Sequence, residues 1–343
     1  MTTRIRAIAG HLPERVVSNA ELEAENPTWK MEAVAGRAGV VSRRIAAAGE
    51  TALDLALVAA EKLLAALPTR DSVIDAVIFC TQTPDFVMPG NAHLLHDRLL
   101  LRDEVLAFDI NLACSGYVYG LAIADGLIAA GTANRVLLAT ADTYSRLIHP
   151  KDRSARVLFG DGAAVTLVER CGNAEGFTSF ELGSHGRKHT AFYVPAGGMR
   201  LPRSAATAQE ASDASGNVRT QEQIHMDGMG VWSFINSAVP KQIRTHLEKN
   251  AFALSDIDHF VFHQASAMTL DSLVKILGID GEKVPRNLNV VGNTVSASIA
   301  LCLADALRAG RVKSGDRVLL SGFGVGLSYG TTSFVHRQGI DVY

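Results

Sequence analysis

The chain has 343 residues, of which 48% are hydrophobic and 20% are charged. This length can bury the core of one large α/β unit or of two domains of ordinary size, and the composition is that of a globular protein. A formal net charge of -2 argues against nucleic acid as a partner, because a nucleic-acid-binding protein carries a strongly basic face. No apolar stretch is long enough to cross a bilayer, and the amino terminus lacks the apolar core of a secretory signal. We therefore expect a soluble cytoplasmic protein with no membrane partner.

In chain order, the first half alternates helical and strand-like segments. Residues 51–67 have the spacing of a helix with one buried face, and an apolar strand is predicted in "IDAVIFCTQT" from Ile74. A second strand, "VLAFDINLA", leads into a helix that opens with "SGYVYGLAIADGL", and "RVLLAT" from Arg135 is the next strand. Strands separated by helices predict a mostly parallel sheet that is covered on both faces.

The second half repeats this pattern in the same order. "IDHFVFHQAS" begins at Ile257 and matches the segment that begins at Ile74. The helical "LCLADALRAG" matches "LAIADGLIAAG", and "RVLLSG" matches "RVLLAT". The separation along the chain is nearly constant across the three pairs, so the matches predict a duplicated α/β half.

Two segments lie between these repeats. Residues 230–250 have helical spacing. Residues 203–223, rich in Ala, Ser and polar residues, have little to bury and are predicted to form a surface excursion that could order over a ligand.

The four cysteines are widely scattered, with no C-x-x-C pair to suggest zinc or a dithiol redox site. Cys80 and Cys302 lie in apolar strand and helix patterns and are interpreted as core residues. Cys114 lies where a predicted strand is followed by a predicted helix, and unpaired N–H groups at a helix start favour an anion there. Such positions expose a thiol and lower its pKa, so Cys114 is a candidate nucleophile. A buried structural thiol is the alternative.

Two polar residues of the second half, His263 and Asn293, lie in loops between predicted strands and helices. His263 ends the strand in "HFVFHQAS", and Asn293 lies in a Gly-flanked loop before the repeated helix. The separation between the two matching helices also relates Cys114 to Thr294, which is next to Asn293. Equivalent corners of a duplicated fold can face one another, so a Cys, a His and an Asn are predicted to converge; a core histidine and a turn-forming asparagine are the alternatives.

With these residues in place, the sequence resembles a β-ketoacyl-(acyl carrier protein) synthase III-type enzyme of the thiolase superfamily. The resemblance covers nearly the whole chain, through "AGHLPERVVSN", "TQTPDFVMPGN", "FDINLACSGYVYGL", "DRSARVLFGDGAA", "HQAS", "GNTVSASIA" and "GFGVGLSYG". It implies a duplicated, five-layered α/β/α/β/α fold with two mixed, mostly parallel sheets. The halves would be residues 1–170, with the nucleophile, and 171–343, with the catalytic His and Asn. It also implies a homodimer and a triad of Cys114, His263 and Asn293.

The chemistry of this family assigns a role to each residue type. The Cys114 thiolate would attack the thioester of an acyl-coenzyme A, and backbone N–H groups of Cys114 and, by resemblance, near Gly324 would hold the oxyanion. Malonyl-(acyl carrier protein) would then lose carbon dioxide, and His263 and Asn293 can both donate hydrogen bonds to the resulting enolate. The carbanion would attack the acyl-cysteine and form a β-ketoacyl product. Neither a metal nor an organic cofactor is needed.

The sequence departs from the family's motifs near the triad. Ser266 replaces the usual Asn of "HQAN", and Val295, Ser296 and Ala300 alter the motif after "GNT".

The resemblance also suggests the residues that contact the substrate. Arg37 and Arg153 match positions that meet the nucleotide of coenzyme A. The tryptophan that stacks on adenine usually lies four residues before an Arg-x-Gly, whereas Trp29 is eight residues before Arg37. A final set would close the acyl pocket of the partner subunit: Phe86, Val87 and Met88.

Other functions are compatible with parts of the pattern. A sister branch of the family transfers the acyl group from the cysteine to a hydroxyl or an amine in secondary metabolism. A thiolase would need a second catalytic cysteine near the carboxyl end, which "GFGVGLSYG" lacks, and a binding scaffold would not require all three triad residues. The same glycine-rich segment is not a dinucleotide loop, because a strand rather than a helix is predicted to follow it. Acyl chain length, a coenzyme A or a carrier-protein donor, and fatty-acid priming or a specialised pathway all stay open.

Overall fold

The computed structural model describes residues 2–67, 74–172, 176–337 and 339–343. The strands are, in chain order, β1 (Thr2–His11), β2 (Val16–Ser18), β3 (Ser42–Arg44), β4 (Ala76–Cys80), β5 (Leu106–Ile110), β6 (Arg135–Asp142), β7 (Gly162–Cys171), β8 (Glu181–Ser184), β9 (Phe192–Tyr193), β10 (Ala211–Ser212), β11 (Val218–Arg219), β12 (His225–Met226), β13 (His259–Phe262), β14 (Arg317–Gly324), β15 (Ser328–Val335) and β16 (Asp341–Val342). The α-helices are α1 (Asn19–Glu25), α2 (Met31–Ala38), α3 (Ala52–Ala65), α4 (Asn91–Arg98), α5 (Gly116–Ala129), α6 (Arg153–Arg156), α7 (Gly228–Lys249), α8 (Ala267–Leu277), α9 (Leu288–Val291) and α10 (Ser298–Arg308).

The predicted helices form close to their expected bounds. A capping box at Thr51 and Asp54 starts α3, because the Thr51 side chain accepts the Asp54 N–H and the Asp54 carboxylate accepts the Thr51 N–H. The helix predicted at residues 230–250 is α7, which begins two residues earlier, after the side chain of Asp227 caps it. The predicted surface excursion contains only the short β10–β11 hairpin and is largely exposed.

Two mixed sheets form the frame. Within the described ranges, the first has the order β16-β1-β7-β6-β4-β5 and the second the order β13-β14-β15-β8. Parallel pairing predominates in the first, where β7 alone runs against its neighbours β1 and β6. In the second, β13 and β14 are parallel, whereas β14–β15 and β15–β8 are antiparallel. The turn between β14 and β15 is too short for a crossover helix, which requires that pair to be antiparallel.

The order of strands confirms the predicted duplication. In the first sheet β1, β7, β6 and β4 are consecutive, and in the second β8, β15, β14 and β13 take the same places. The repeated sequences at Ile74 and Ile257 lead into β4 and β13, and the helices α5 and α10 contain the other repeated pair. Each half therefore folds as one copy of the same strand and helix arrangement.

Three apolar cores join five layers. Helix α3 packs on the outer face of the first sheet, around Leu63 and Val77. Helices α5 and α10 lie between the two sheets, where a second core includes Leu121 and Leu303. Helices α7 and α8 cover the outer face of the second sheet around Phe260. The α/β/α/β/α order predicted from the resemblance is confirmed. The carboxyl ends of β4, β6, β13 and β14 lie beside the starts of the two central helices.

None of the described helices is both long enough and apolar enough to span a bilayer.

Candidate active site

Cys114 lies in the short loop between β5 and α5, two residues before the helix begins. It belongs to an apolar cluster with Phe159 and Phe192. Glycines allow the backbone to come this close: a Cβ on Gly324 would lie 2.8 Å from the Cys114 sulfur, and a Cβ on Gly116 would clash with the sulfur of Cys80. The loop and β14 can therefore enclose the thiol only without side chains at these two positions.

The prediction of an exposed thiol with a lowered pKa is wrong. Cys114 is only 3% exposed. Burial, with a smaller contribution from the carboxylate of Asp142, raises the pKa of Cys114 to about 12. Hydrogen bonds from the N–H groups of Val325 and of Cys114 itself lower it, but they do not outweigh the loss of solvent. The thiol is therefore neutral in the free protein.

Two backbone N–H groups donate these hydrogen bonds to the Cys114 sulfur. The Cys114 N–H is one of them. On the opposite strand the donor is the N–H of Val325, one residue beyond Gly324. Gly324 contributes the close backbone approach, and Val325 contributes the hydrogen bond.

His263 follows the last residue of β13 and is 2% exposed. Its Nδ1 lies 2.7 Å from the hydroxyl oxygen of Ser298, at the start of α10, and the ring of Phe323 packs against it edge-on. Burial lowers the pKa of His263 to about 3, so the imidazole is neutral at physiological pH. The other ring nitrogen, Nε2, is left to face Asn293.

Asn293 is oriented by its own loop. Its side-chain oxygen accepts the N–H of Val295 at 3.0 Å, and its Nδ2 lies 3.4 Å from His263 Nε2. The amide group therefore turns its two N–H donors toward the histidine. Val295 has a φ of 54°, a left-handed conformation that is strained for a β-branched residue, and its burial holds it there.

The three triad residues line one cavity of about 150 Å³, together with Gly324. A larger cavity, of about 610 Å³, is lined by Trp29, Arg37 and Arg153. The two cavities share three lining residues: Leu158, Ser266 and Met268. Together they make a route from the surface, past the cationic side chains, to Cys114.

The residues along this route differ in their exposure to solvent. Arg37 is exposed and Arg153 is half-buried. Trp29 lines the cavity but is only 7% exposed, since it belongs to a small core with Leu22 and Met31. Ser266 caps α8 by accepting the Thr269 N–H, a task that Ser and Asn both perform well, which explains why Ser is tolerated there.

Phe86, Val87 and Met88 do not line the Cys114 cavity of their own chain. They form an exposed apolar loop after β4, and the side chain of Val87 is 82% exposed. A separate cavity of about 340 Å³ lies near the thiol, lined by Tyr144, Phe192 and Val325 among others.

Sequence reasoning missed two polar residues that support the site. Ser298 contacts His263, and Asp142 accepts the Ser296 hydroxyl and N–H together with the Gln82 N–H. Burial raises the pKa of Asp142 to about 7. "GNTVSASIA" contains Ser298, and Asp142 lies two residues after "RVLLAT", yet nothing in the sequence around either residue indicates what it contacts.

The neutral state of His263 predicts a pH dependence of stability. In the unfolded chain His263 takes up a proton below its ordinary pKa of 6.5, whereas in the folded protein it stays neutral down to its pKa of about 3. The free energy of unfolding therefore decreases as the pH falls from 6.5 to about 3. Protonation of His263 in the unfolded chain should lower the free energy of unfolding by about 2 kcal/mol between pH 7 and pH 5. Urea unfolding at both pH values should therefore show a smaller loss in His263→Gln than in the wild type. The exposed His93→Gln is the control, and an equal pH dependence in wild type and His263→Gln would contradict the buried neutral ring.

Comparisons with known proteins agree with this geometry. The family profile described as 3-oxoacyl-[acyl-carrier-protein (ACP)] synthase III matches residues 108–186, and that of its C-terminal part matches residues 247–335. The chain is 37% identical over 319 residues to a beta-ketoacyl-[acyl-carrier-protein] synthase III of Symbiobacterium thermophilum, covering 93% of each protein. A crystal structure of a 3-oxoacyl-(acyl-carrier-protein) synthase III superposes with a TM-score of 0.95 at 43% identity, covering 98% of this chain and 100% of that one. A 3-oxoacyl-(acyl-carrier protein) synthase from Burkholderia xenovorans superposes with a TM-score of 0.92 at 34% identity, covering 100% and 97%. The chain belongs to the β-ketoacyl-(acyl carrier protein) synthase III family of acyltransferases.

Proposed function

We propose that the protein transfers an acyl group from an acyl-coenzyme A to Cys114 and condenses it with malonyl-(acyl carrier protein), with loss of carbon dioxide. The observation that carries this proposal is the meeting of Cys114, His263 and Asn293 in one buried cavity at the end of a cationic route. Arg37 and Arg153 on that route suit the phosphates of coenzyme A. Trp29 contributes an apolar wall more than a free stacking surface.

In the first half-reaction, the Cys114 sulfur forms a bond to the thioester carbonyl carbon and the bond to coenzyme A breaks. The proton of the thiol ends on the departing coenzyme A thiolate, so the enzyme keeps its net charge. The transient oxyanion is stabilised by the N–H groups of Cys114 and Val325, the two donors directed at this sulfur. Because the free thiol is neutral, we expect it to ionise only as substrate binds and its proton is transferred.

In the second half-reaction, malonyl-(acyl carrier protein) loses carbon dioxide and becomes an enolate. When the Ser298 hydroxyl donates to Nδ1 of His263, Nε2 carries the ring proton and donates toward the cavity. Asn293 Nδ2 supplies the neighbouring donor. Two neutral donors stabilise the enolate oxygen without protonating it. The enolate carbon attacks the acyl carbonyl, the Cys114 thiolate leaves and takes a proton from solvent, and a β-ketoacyl product forms. These steps need neither a metal nor an organic cofactor.

The two half-reactions can be followed by intact-protein mass spectrometry. Mixing with a panel of acyl-coenzyme A thioesters should add one acyl group to the wild type and none to Cys114→Ala. Malonyl-(acyl carrier protein) should then remove the acyl mass and yield a β-ketoacyl-(acyl carrier protein), and the acyl chain that reacts fastest identifies the substrate. Discharge by a hydroxyl or an amine but not by malonyl-(acyl carrier protein) would replace this proposal with plain acyl transfer.

A homodimer is part of the proposal. Strand β5 is at an edge of the first sheet in the described residues, and the loop of Phe86, Val87 and Met88 is exposed and apolar. An unpaired edge strand beside an apolar loop is typical of a surface that a partner covers. The loop of one subunit would then close the acyl pocket of the other.

The dimer predicts a position-specific response to a charge. Val87→Glu should shift the mass measured by light scattering from dimer to monomer and weaken binding of the acyl group, because a carboxylate would be buried against the partner. Met199→Glu is the matched control, since Met199 is 87% exposed and lies far along the sequence from this loop. A monomeric wild type, or a dimer that Val87→Glu leaves intact, would contradict this arrangement.

A further inference from the structure

A cavity of about 200 Å³ contains four arginines that the proposed reaction does not use: Arg15, Arg43, Arg146 and Arg156. The remaining lining is mostly apolar, and it includes the ring of Phe159. Phe159 also lines the Cys114 cavity, and no other described residue lines both. The arginine cavity is therefore separate from the acyl pocket but shares one aromatic wall with it.

Arg43 is the deepest of the four and is only 1% exposed. Its Nη1 donates to the Val17 carbonyl at 3.1 Å, and its Nη2 donates to the Asn19 side-chain oxygen at 2.6 Å and the Val157 carbonyl at 3.1 Å. Its buried Nε–H has no acceptor within the described part of the chain. None of the three acceptors is a carboxylate, so among the described residues the positive charge of Arg43 lies in the interior without a counter-ion in contact.

The other three arginines add to this charge. Arg156 donates to the Glu25 carboxylate at 2.5 Å, and Arg15 donates to the Glu21 carboxylate at 2.9 Å. Within the described ranges, Arg146 donates to backbone carbonyl oxygens alone, those of residues 47, 48 and 50. Two carboxylates in contact with four guanidinium groups leave a positive surplus. Burial is the main cause that lowers the pKa of Arg43 to about 10, and repulsion by Arg156 adds to it while attraction to Glu21 opposes it.

One further carboxylate is near. Asp161 accepts the N–H groups of Ser145 and Ala46 at 3.0 and 2.8 Å, together with the Ser145 hydroxyl. Burial raises the pKa of Asp161 despite its attraction to Arg146, and none of the hydrogen bonds that its carboxylate makes in the described part of the chain goes to Arg43. Asp161 therefore does not supply the missing partner of Arg43.

We propose that this cavity binds a small aliphatic carboxylate. A carboxylate accepts N–H donors of guanidinium groups in well-matched geometry and would supply the missing counter-charge. Its short alkyl chain would pack against the apolar lining, including Val17, Ile45 and Phe159. An inorganic anion would satisfy the charge but leave the apolar wall unused, and a neutral alcohol would do the reverse.

Hexanoate is the probe, and isothermal titration calorimetry on the wild type is the measurement. We expect saturable binding of one hexanoate per chain, with hexanol and inorganic phosphate at least about tenfold weaker. Arg156→Gln and Arg15→Gln should each weaken hexanoate binding about tenfold or more, because each removes a charge from the cavity. Both arginines are partly exposed, and melting curves without hexanoate should verify that the variants fold.

The matched controls are Arg37→Gln and Arg153→Gln, which remove the same charge from the other cavity and should leave hexanoate affinity unchanged. Absence of saturable binding would overturn the proposal. So would affinity that depends on Arg37 and Arg153 rather than on Arg15 and Arg156, or phosphate that binds as tightly as hexanoate. The readout is binding alone, so its failure would leave the proposed condensation reaction untouched.

Discussion

The burial of Cys114 and His263 is the constraint on which the site depends. Burial makes the charged forms of Cys114 and His263 costly, which raises the pKa of one and lowers the pKa of the other. Both groups are then neutral before substrate arrives. Neutral buried polar groups still need hydrogen-bond partners, and the Ser298 hydroxyl supplies one to Nδ1 of the histidine. The apolar surroundings that suit an acyl chain therefore also set the protonation states of the residues that would process it.

The duplicated fold makes this arrangement possible. The loop before α5 carries Cys114, and the corresponding loop before α10 carries Asn293, so the two central helices present their starts to the same cavity. Strand β14 runs past Cys114 and can approach it closely only because Gly324 has no side chain. Residues from opposite halves of the chain thus meet through backbone packing, and the few glycines at the contact are as necessary as the polar side chains.

Much of this could be predicted from the sequence, and the rest depends on tertiary contacts. The duplication could be predicted because similar strand and helix segments recur in the same order in both halves. The spacing of apolar residues in each segment also indicates which of its faces is buried. The pKa of Cys114 was predicted in the wrong direction, since a helix start is visible in sequence whereas the desolvation that outweighs it is not. The left-handed Val295 could not be predicted, because a β-branched residue does not indicate that conformation. The contact of Ser298 with His263 and the shared wall at Phe159 likewise arise from segments far apart in the chain.

Stabilisation of the enolate by two neutral donors, His263 and Asn293, is the step on which the proposed reaction depends. Its most direct test is the rate of carbon dioxide release from malonyl-(acyl carrier protein) by Asn293→Asp. The aspartate keeps an oxygen that can accept the Val295 N–H but removes the two donors that face His263. We predict that acylation of Cys114 by acyl-coenzyme A continues while carbon dioxide release falls by about a hundredfold or more. Release at the wild-type rate would contradict the account.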